Sequence, residues 1–522
     1  MFSKILVANR GEISLRIIRA ARELGLKTVA VYSEPDKNSL HTMFADEKIC
    51  IGPAKASESY LNIPNLLSAA EITKSDAIHP GYGFLAENPR FPEICETHGI
   101  TFIGPSASLI RLMGDKNRAR QEMRAAKLPV IPGSDTIIED FVEAKNIAQK
   151  IGYPIMLKPA AGGGGKGMRI VRSAVKLEEQ FSISQNEAKA AFGDPSLYME
   201  KFIPGAHHIE IQVIGDKKGN ILAFGERECS IQRKYQKLLE ETPSPFIDEK
   251  FRRKLTRAVQ DAGQSIGYES LGTFEFLVDD NKHFYFMEAN TRVQVEHPIT
   301  EMVYDVDMIK EQIKIAAGEK LSIPHDIKLN GHSIECRINA EDPESFIPSP
   351  GKIEFLVLPG GEGIRVDSAA YSSWQIPPDY DSLVAKIIVK APSRKEAIKK
   401  MLIALETTIV VGIKTNIPLH LSILSNSDFV RGNYDIQFME KLLRKNLTGR
   451  ILPDRHRDDT DTEGPVIIAY KVLVDPQKKP SADGHSHPTL CSDKKLLLDL
   501  ITSLFPRLLI DLHGNQNSHF TY

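Results

Sequence analysis

The 522-residue sequence is short of cysteine, of net charge and of long apolar runs, and each shortage excludes a class of protein. Its five cysteines, Cys50, Cys95, Cys229, Cys336 and Cys491, are scattered. They have neither the paired spacing of a structural zinc site nor the pattern of a disulfide framework. Such usage fits a reducing cytoplasm. Lys and Arg number 66 and Asp and Glu 68, so a net charge of −2 gives no basis for nucleic-acid or anionic-membrane binding. No apolar stretch is long enough to span a bilayer, and residues 1–6 enter a strand pattern without the features of a signal peptide. The fingerprint G-x-G-x-x-G is also missing from the place where a dinucleotide would need it, the first strand-to-helix turn. The first strand-to-helix turn is Ala8, Asn9, Arg10, Gly11 and Glu12, which argues against nicotinamide dinucleotide binding.

What is present reads as an ordinary multidomain globular chain, 42% hydrophobic and 26% charged, with material for two to four domains. In residues 1–114, strand patterns at 5–8 and 28–32 flank a helix with Ile13, Ile17, Ala20, Ala21 and Leu24 on one stripe, closed by Gly25. This βαβ pattern repeats through 76–78 and 101–104, as in a Rossmann-like domain. A charged helical stretch follows over 114–127, and the Pro- and Gly-bearing run 128–133 marks a boundary. A small unit then covers about 134–203, and an α+β block runs to 330. Residues 331–446 mix strands at 332–339 and 383–389 with a helix at 394–406. Residues 371–380, with the single tryptophan Trp374, read as a loop or sheet edge. Beyond 447 lie polar linkers at 454–463 and 477–488 and apolar segments at 466–474 and 496–512. Its histidines His485, His487 and His513 read as part of a solvated, partly disordered extension.

Two motifs carry chemistry. Phe274, Phe276, Phe284 and Phe286 alternate at period two around a turn at 279–282, which predicts a hairpin with one buried face. Glu275 and Glu288 lie within its two strands and can share a face. With Asn290 they suit Mg²⁺, a hard cation that leaves coordination positions for water and phosphate; the alternative is two surface glutamates on an ordinary hairpin. Upstream, residues 158–168 (KPAAGGGGKGM) sit between strand patterns at 155–157 and 169–172. Consecutive glycines let backbone N–H groups curl around phosphate oxygens, while Lys158 and Lys166 add charge. Gly167 stands where a Walker A loop needs Ser or Thr, so this is either a flexible hairpin or a mobile lid of another kind.

In their fixed order, these and further motifs resemble the biotin carboxylases, the ATP-grasp component of acetyl-CoA carboxylase and of split pyruvate carboxylases. The further motifs are KILVANRGEI at 4–13, HPGYGFLAEN at 79–88, ERECSIQR at 226–233, the whole of 273–298 and ECRINAED at 335–342. The resemblance covers residues 1–446. It implies a multidomain α/β and α+β fold, with a Rossmann-like N-terminal domain (1–114), an ATP-grasp domain (115–330, lid about 134–203) and a mixed α+β C-terminal domain (331–446). Residues 447–522 remain an unassigned tail.

The resemblance also implies a site. Lys116, Lys158, Gly164, Gly165, Glu200, Lys201, Phe202, Ile203 and His208 would bind ATP, with Gln232 and Leu277 lining the cleft. Glu275, Glu288 and Asn290 would hold Mg²⁺ or Mn²⁺. Lys237, Arg292, Gln294 and Val295 (through its backbone) would bind bicarbonate, Glu296 would act as general base, and Arg337 would face the ureido oxygen of biotin. The sequence departs from the family at Tyr235 and Gln437, where members carry His, and at Ala289, where a larger apolar residue is common. Tyr235 retains a hydroxyl able to bond a nucleotide.

The chemistry explains the residue types. Bicarbonate is a poor electrophile and a urea nitrogen a poor nucleophile, so ATP must convert the former to carboxyphosphate. A planar guanidinium such as Arg292 grips a planar carbonate in a way a lysine cannot. If 292–296 is extended, Arg292, Gln294 and Glu296 converge on one anion, and Glu296 can take its proton. The phosphate released can take the ureido proton, while Arg337 stabilises the oxygen anion. Another carboxylate–amine ligase, a carbamoyl-phosphate-type synthase and a non-catalytic nucleotide sensor are the alternatives. Arg292, Gln294, Glu296 and Arg337 set bicarbonate and biotin apart from the first two. The sequence has no biotinylation segment and no carboxyltransferase. A separate biotinyl carrier protein and carboxyltransferase subunit are therefore expected, with a homodimer as the family assembly. The expected function is the first half-reaction of acetyl-CoA carboxylase, or alternatively of a split pyruvate or acyl-CoA carboxylase.

Overall fold

Ile5 and Val7 point to one side of their strand and Leu6 and Ala8 to the other, and both sides are buried. That is the signature of a parallel strand covered by helices on both faces. In the computed structural model, which describes residues 2–134, 136–138, 140–160 and 168–447, this strand (Lys4–Val7) is the centre of a five-stranded parallel sheet. The spatial order is Glu47–Gly52, Lys27–Ser33, Lys4–Val7, Ala77–His79, Thr101–Phe102. The helix Gly11–Glu23 lays Ile13, Ile17 and Ile18 on one face, and Leu66, Leu67 and Phe91 cover the other. The expected βαβ pattern is present. The glycines Gly164 and Gly165, Lys166 and every tail segment beyond 447 lie outside the described residues.

A three-stranded antiparallel sheet carries the second unit, with Ile155–Pro159 between Arg169–Val171 and Leu197–Lys201. Ile155, Leu157, Val171, Leu197 and Met199 pack on Ala144 and Ala148 of the helix Phe141–Ile151 and on Leu177 and Phe181 of the helix Leu177–Phe192.

The largest sheet has eight strands, all paired antiparallel. In order they are Phe284–Asn290, Ser270–Val278, His207–Gly215, Ile221–Arg233, Gln236–Thr242, His332–Asn339, Leu383–Ala391 and Ile364–Ser368. Alternation sorts its two faces. At one end, Phe274, Phe276, Phe284 and Phe286 meet Phe251, Leu255 and Val259 of the helix Glu249–Ser265. At the other, Ile334, Cys336 and Ile338 meet Ala397 and Met401 of the helix Arg394–Glu406. The residues between them, Glu275, Glu335 and Arg337, point to the opposite face, where the site lies. No helix among the described residues is long and apolar enough to cross a membrane.

Candidate active site

The hairpin's register explains how two carboxylates come to share a face. Phe276 pairs with Phe286, whereas Glu275 pairs with Glu288, so Met287 is an extra residue on its strand. Strict alternation would turn Glu288 into the core beside Phe286. The bulge at Met287 flips the rest of the strand, bringing Glu288 and Asn290 to the face of Glu275. Simple period-two reading of the sequence does not contain this step.

Glu275 is buried and fully engaged. Its Oε1 accepts from Asn290 Nδ2 at 2.8 Å, from Gln294 Nε2 at 3.0 Å and from Lys237 Nζ at 3.0 Å. His208 Nε2 lies 2.9 Å from its Oε2. Burial pushes this carboxyl up, but Lys237 and His208 reverse the effect and hold it well below the usual range. Glu288 has no hydrogen-bond or ion-pair partner among the described residues, and burial together with the charge of Glu275 raises it. A carboxylate facing another carboxylate, with an amide oxygen nearby, is a donor set that a hard divalent cation fits.

Lys237 is the hub of the site. Its ammonium reaches Glu210 Oε2 at 2.5 Å, Glu296 Oε1 at 2.6 Å and Glu275 Oε1 at 3.0 Å. Behind it the fully buried Arg227 bonds Glu210, Gln212 at 2.7 Å, Thr300 at 3.0 Å and Thr273 at 3.1 Å. These two cations neutralise the acidic groups on the sheet's inner face. Glu210 follows from the pattern of the strand His207–Gly215, in which His208, Glu210 and Gln212 alternate with Ile209, Ile211 and Val213; that alternation was available in the sequence as a signal.

Arg337 donates to Glu240 Oε1 at 2.7 Å and to Glu296 Oε2 at 3.0 Å. Burial raises the Glu296 carboxyl, but Lys237 and Arg337 overcome it and keep the group ionised. Burial pushes Glu240 up to about 7 despite Arg337.

Residues 292–296 are not extended. Glu296 stands at φ −83°, ψ 8° immediately before the helix His297–Tyr304, whose early proline fixes the entry, so the chain bends and turns instead of continuing as a strand. As a result Arg292 and Glu296 do not bond each other, although Glu296 lies within electrostatic reach of Arg292. Arg292 donates to Glu87 Oε2 at 2.8 Å, Asn290 Oδ1 at 2.9 Å and Gln294 Oε1 at 3.2 Å. Gln294 in turn bonds Glu275, while Glu296 faces Lys237 and Arg337. The Val295 carbonyl accepts from Lys386 Nζ at 2.8 Å. Glu87, from a loop of the parallel-sheet unit, lies inside the 79–88 motif, but nothing in that motif's spacing points to Arg292 as its partner.

The remaining residues line the approach. Glu200 bonds Lys158 and, at 3.0 Å, Arg120. Lys201 uses its ammonium on the carbonyls of Gly152 and Tyr153, each at 3.0 Å. Phe202 and Ile203 are buried next to it. Gln232 Nε2 lies 3.4 Å from His208 Nδ1, and Leu277 pairs with His208 across neighbouring strands. Lys116 is exposed at the start of the helix Lys116–Ala125, within electrostatic reach of both Glu200 and Glu288. Tyr235 is 58% exposed on a turn at φ +65°, where it bonds nothing in the cluster. Gln437 donates its backbone N–H to Asp435 at 2.7 Å.

Three family models match in this order: "Biotin carboxylase, N-terminal domain" at 1–110, "Carbamoyl-phosphate synthase L chain, ATP binding domain" at 115–324 and "Biotin carboxylase C-terminal domain" at 335–441. Biotin carboxylase 1 of Bacillus subtilis is 53% identical over 443 residues, covering 84% of this chain and 98% of the relative. The chain belongs to the biotin carboxylase family.

Solved biotin carboxylases share the fold. A Campylobacter jejuni biotin carboxylase, solved as a β,γ-ATP complex, superposes with a TM-score of 0.82 at 51% identity, covering 84% of this chain and 99% of that one. The biotin carboxylase domain dimer of Hydrogenobacter thermophilus 2-oxoglutarate carboxylase, solved in complex with MgADP, ADP and bicarbonate, gives 0.81 at 48%, covering 87% and 100%. Like the family, this biotin carboxylase is an ATP-grasp carboxylating ligase.

Proposed function

We propose that this biotin carboxylase uses ATP and bicarbonate, through carboxyphosphate, to carboxylate biotin on a separate carrier protein, as the first half-reaction of acetyl-CoA carboxylase. The observation that carries the reading is Lys237. One ammonium ties Glu275 of the cation-binding hairpin to Glu296, and Glu296 is tied in turn to Arg337. Nucleotide, anion and biotin functions would thus meet in one bonded cluster.

Glu275, Glu288 and Asn290 would hold Mg²⁺ or Mn²⁺, which when bound supplies positive charge to the polyphosphate. Lys116 and Lys158 add ammonium charge on the same side, with Lys201, Phe202, Ile203, His208, Gln232 and Leu277 lining the nucleotide cleft. Lys237, Arg292, Gln294 and the Val295 backbone would receive bicarbonate. Because Glu296 is held ionised, it is ready to accept the bicarbonate proton as the oxygen attacks the γ-phosphorus and ADP leaves. Carboxyphosphate then splits into CO₂ and phosphate beside the ureido ring, the phosphate takes the ring N–H proton, Arg337 stabilises the oxygen anion that results, and the ring nitrogen attacks CO₂ to form the carboxylated product. Tyr235 would bond a nucleotide hydroxyl from its exposed turn.

The likeness to a domain of 2-oxoglutarate carboxylase supports a second reading of the final acceptor, a keto acid or other acyl-CoA in a split carboxylase of the pyruvate carboxylase type. A carboxyltransferase subunit, a homodimer and a cytoplasmic location complete the proposal. The test is ATP cleavage by the purified chain with and without bicarbonate and free biotin. Stimulation by both is expected, and cleavage indifferent to biotin would overturn it. Affinity capture of the biotinylated partner distinguishes the acceptors.

A further inference from the structure

Lys386 is fully buried, and none of the groups assigned above to nucleotide, cation, bicarbonate or biotin explains it. It lies on the strand Leu383–Ala391, opposite Arg337 on one side and Asp367 on the other. Its ammonium donates to the Val295 carbonyl at 2.8 Å, lies 3.0 Å from Glu12 Oε1 and stands 3.8 Å from Asp367 Oδ2. Asp367 is already gripped by Arg365 at 2.9 and 2.7 Å. Glu335, on the strand His332–Asn339, also neighbours Lys386, but burial pushes its carboxyl well above the usual range. Taking a lysine wholly out of water is costly unless its three donors are used. Here one donor is spent on a backbone carbonyl in the loop between Gln294 and Glu296.

That carbonyl shares a rigid peptide plane with the Glu296 N–H. Fixing the plane fixes where the Glu296 Cα stands, the point from which its side chain sets out toward Lys237 and Arg337. We infer that Lys386 is a positioning residue that sets the 292–296 loop through the Val295 carbonyl, resting on the reading of that loop as the bicarbonate site. Glu12 holds Lys386 in place from the first turn of the helix Gly11–Glu23, and Tyr82 donates to the same Glu12 oxygen at 2.5 Å. Tyr82 and Glu12 both line a cavity of about 340 Å³ with Asn9, Trp374 and Tyr380. The chain Tyr82–Glu12–Lys386–Val295 therefore joins the parallel-sheet unit to the anion loop.

The test compares Lys386→Met and Glu12→Gln with the wild-type chain in bicarbonate-dependent ATP cleavage. Lys386→Met is expected to raise the KM for bicarbonate at least tenfold while the KM for ATP stays within twofold, because the nucleotide residues do not touch Lys386. Glu12→Gln keeps a hydrogen-bond acceptor but loses the charge, so it is expected to raise the bicarbonate KM by a smaller factor, with the same split. Should Lys386→Met lack a cooperative unfolding transition, Glu12→Gln decides. Equal rises in both KM values, or an unchanged bicarbonate KM in a folded variant, overturn the role of Lys386. A wild-type chain whose ATP cleavage ignores bicarbonate overturns the reading of the loop itself.

Discussion

Glu275 and Glu288 stand opposite each other across one hairpin, and their surroundings drive their protons in opposite directions. Glu275 is held by Lys237, His208, Asn290 and Gln294; Glu288 is held by nothing among the described residues. On the proposed reading, Glu288 is thus the half of the pair whose charge a divalent ion would satisfy. Glu288→Gln is expected to lower ATP cleavage by about 100-fold or more, the upper end of what losing support for a metal costs. The Mg²⁺ concentration for half-maximal rate should rise with it. Normal turnover at low Mg²⁺ would refute the assignment.

Arg337 is the only cation shared by Glu240 and Glu296 among the described ion pairs, and it lies away from the hairpin. Arg337→Ala should uncouple the two halves of the reaction. Bicarbonate-dependent ATP cleavage is expected to persist while biotin carboxylation falls by about 100-fold, comparable to losing one donor to a developing oxyanion. Measuring ADP and carboxybiotin in the same reaction gives the coupling ratio. Arg337→Lys, which keeps the charge and loses the planar fork, should recover stability without restoring the ratio.

Gly272 has no room for a side chain. A Cβ there would meet Tyr268 Oη at 1.6 Å and the Asn290 carbonyl at 2.9 Å. Gly272→Ala is expected to destabilise the chain by about 1–3 kcal/mol, the usual range for overpacking a core. Chemical denaturation reads this directly. Tyr268→Phe, which removes the nearest atom, should recover part of the loss in the double variant.

His420 links stability to pH. It is buried against the Arg337 carbonyl at 2.8 Å, and burial lowers its pKa to about 4 although that carbonyl pulls the other way. Unfolded, the imidazole takes a proton near pH 6.5; folded, it refuses one until about pH 4. Its contribution is therefore complete above pH 6.5 and lost as the pH falls toward 4, at a slope of at most about 1.4 kcal/mol per pH unit. His41, lowered to about 4, and His79, lowered to about 3, act in the same direction. Denaturation midpoints from pH 7.5 to 5 should fall, and His420→Gln should flatten the slope.

Much of this was legible in the residues. Period-two phenylalanines gave the hairpin, and the stripe Ile13, Ile17, Ala20, Ala21 and Leu24 gave the first helix of the parallel-sheet unit. What escaped were features set by pairing between distant segments. The bulge at Met287 leaves no local mark, because each flanking stretch alternates properly on its own. The turn at 294–296 overrides an alternating Arg-x-Gln-x-Glu run because the following proline-led helix starts too soon for a strand to continue. Glu87, Glu240 and Lys386 reach the site only because remote strands and loops are brought beside it, and no spacing in the sequence encodes that proximity.

The widest sheet carries both the carboxylate hairpin and the Arg337 strand on one continuous series of paired strands, bulges included. No unpaired strand stands between them, so the distance from a cation bound at the hairpin to a ureido group at Arg337 would be set by the sheet. Spacing between the two half-sites is inherited from the fold, not reassembled with each turnover. A lineage could exchange its downstream acceptor by altering carrier and transferase alone, leaving this framework untouched.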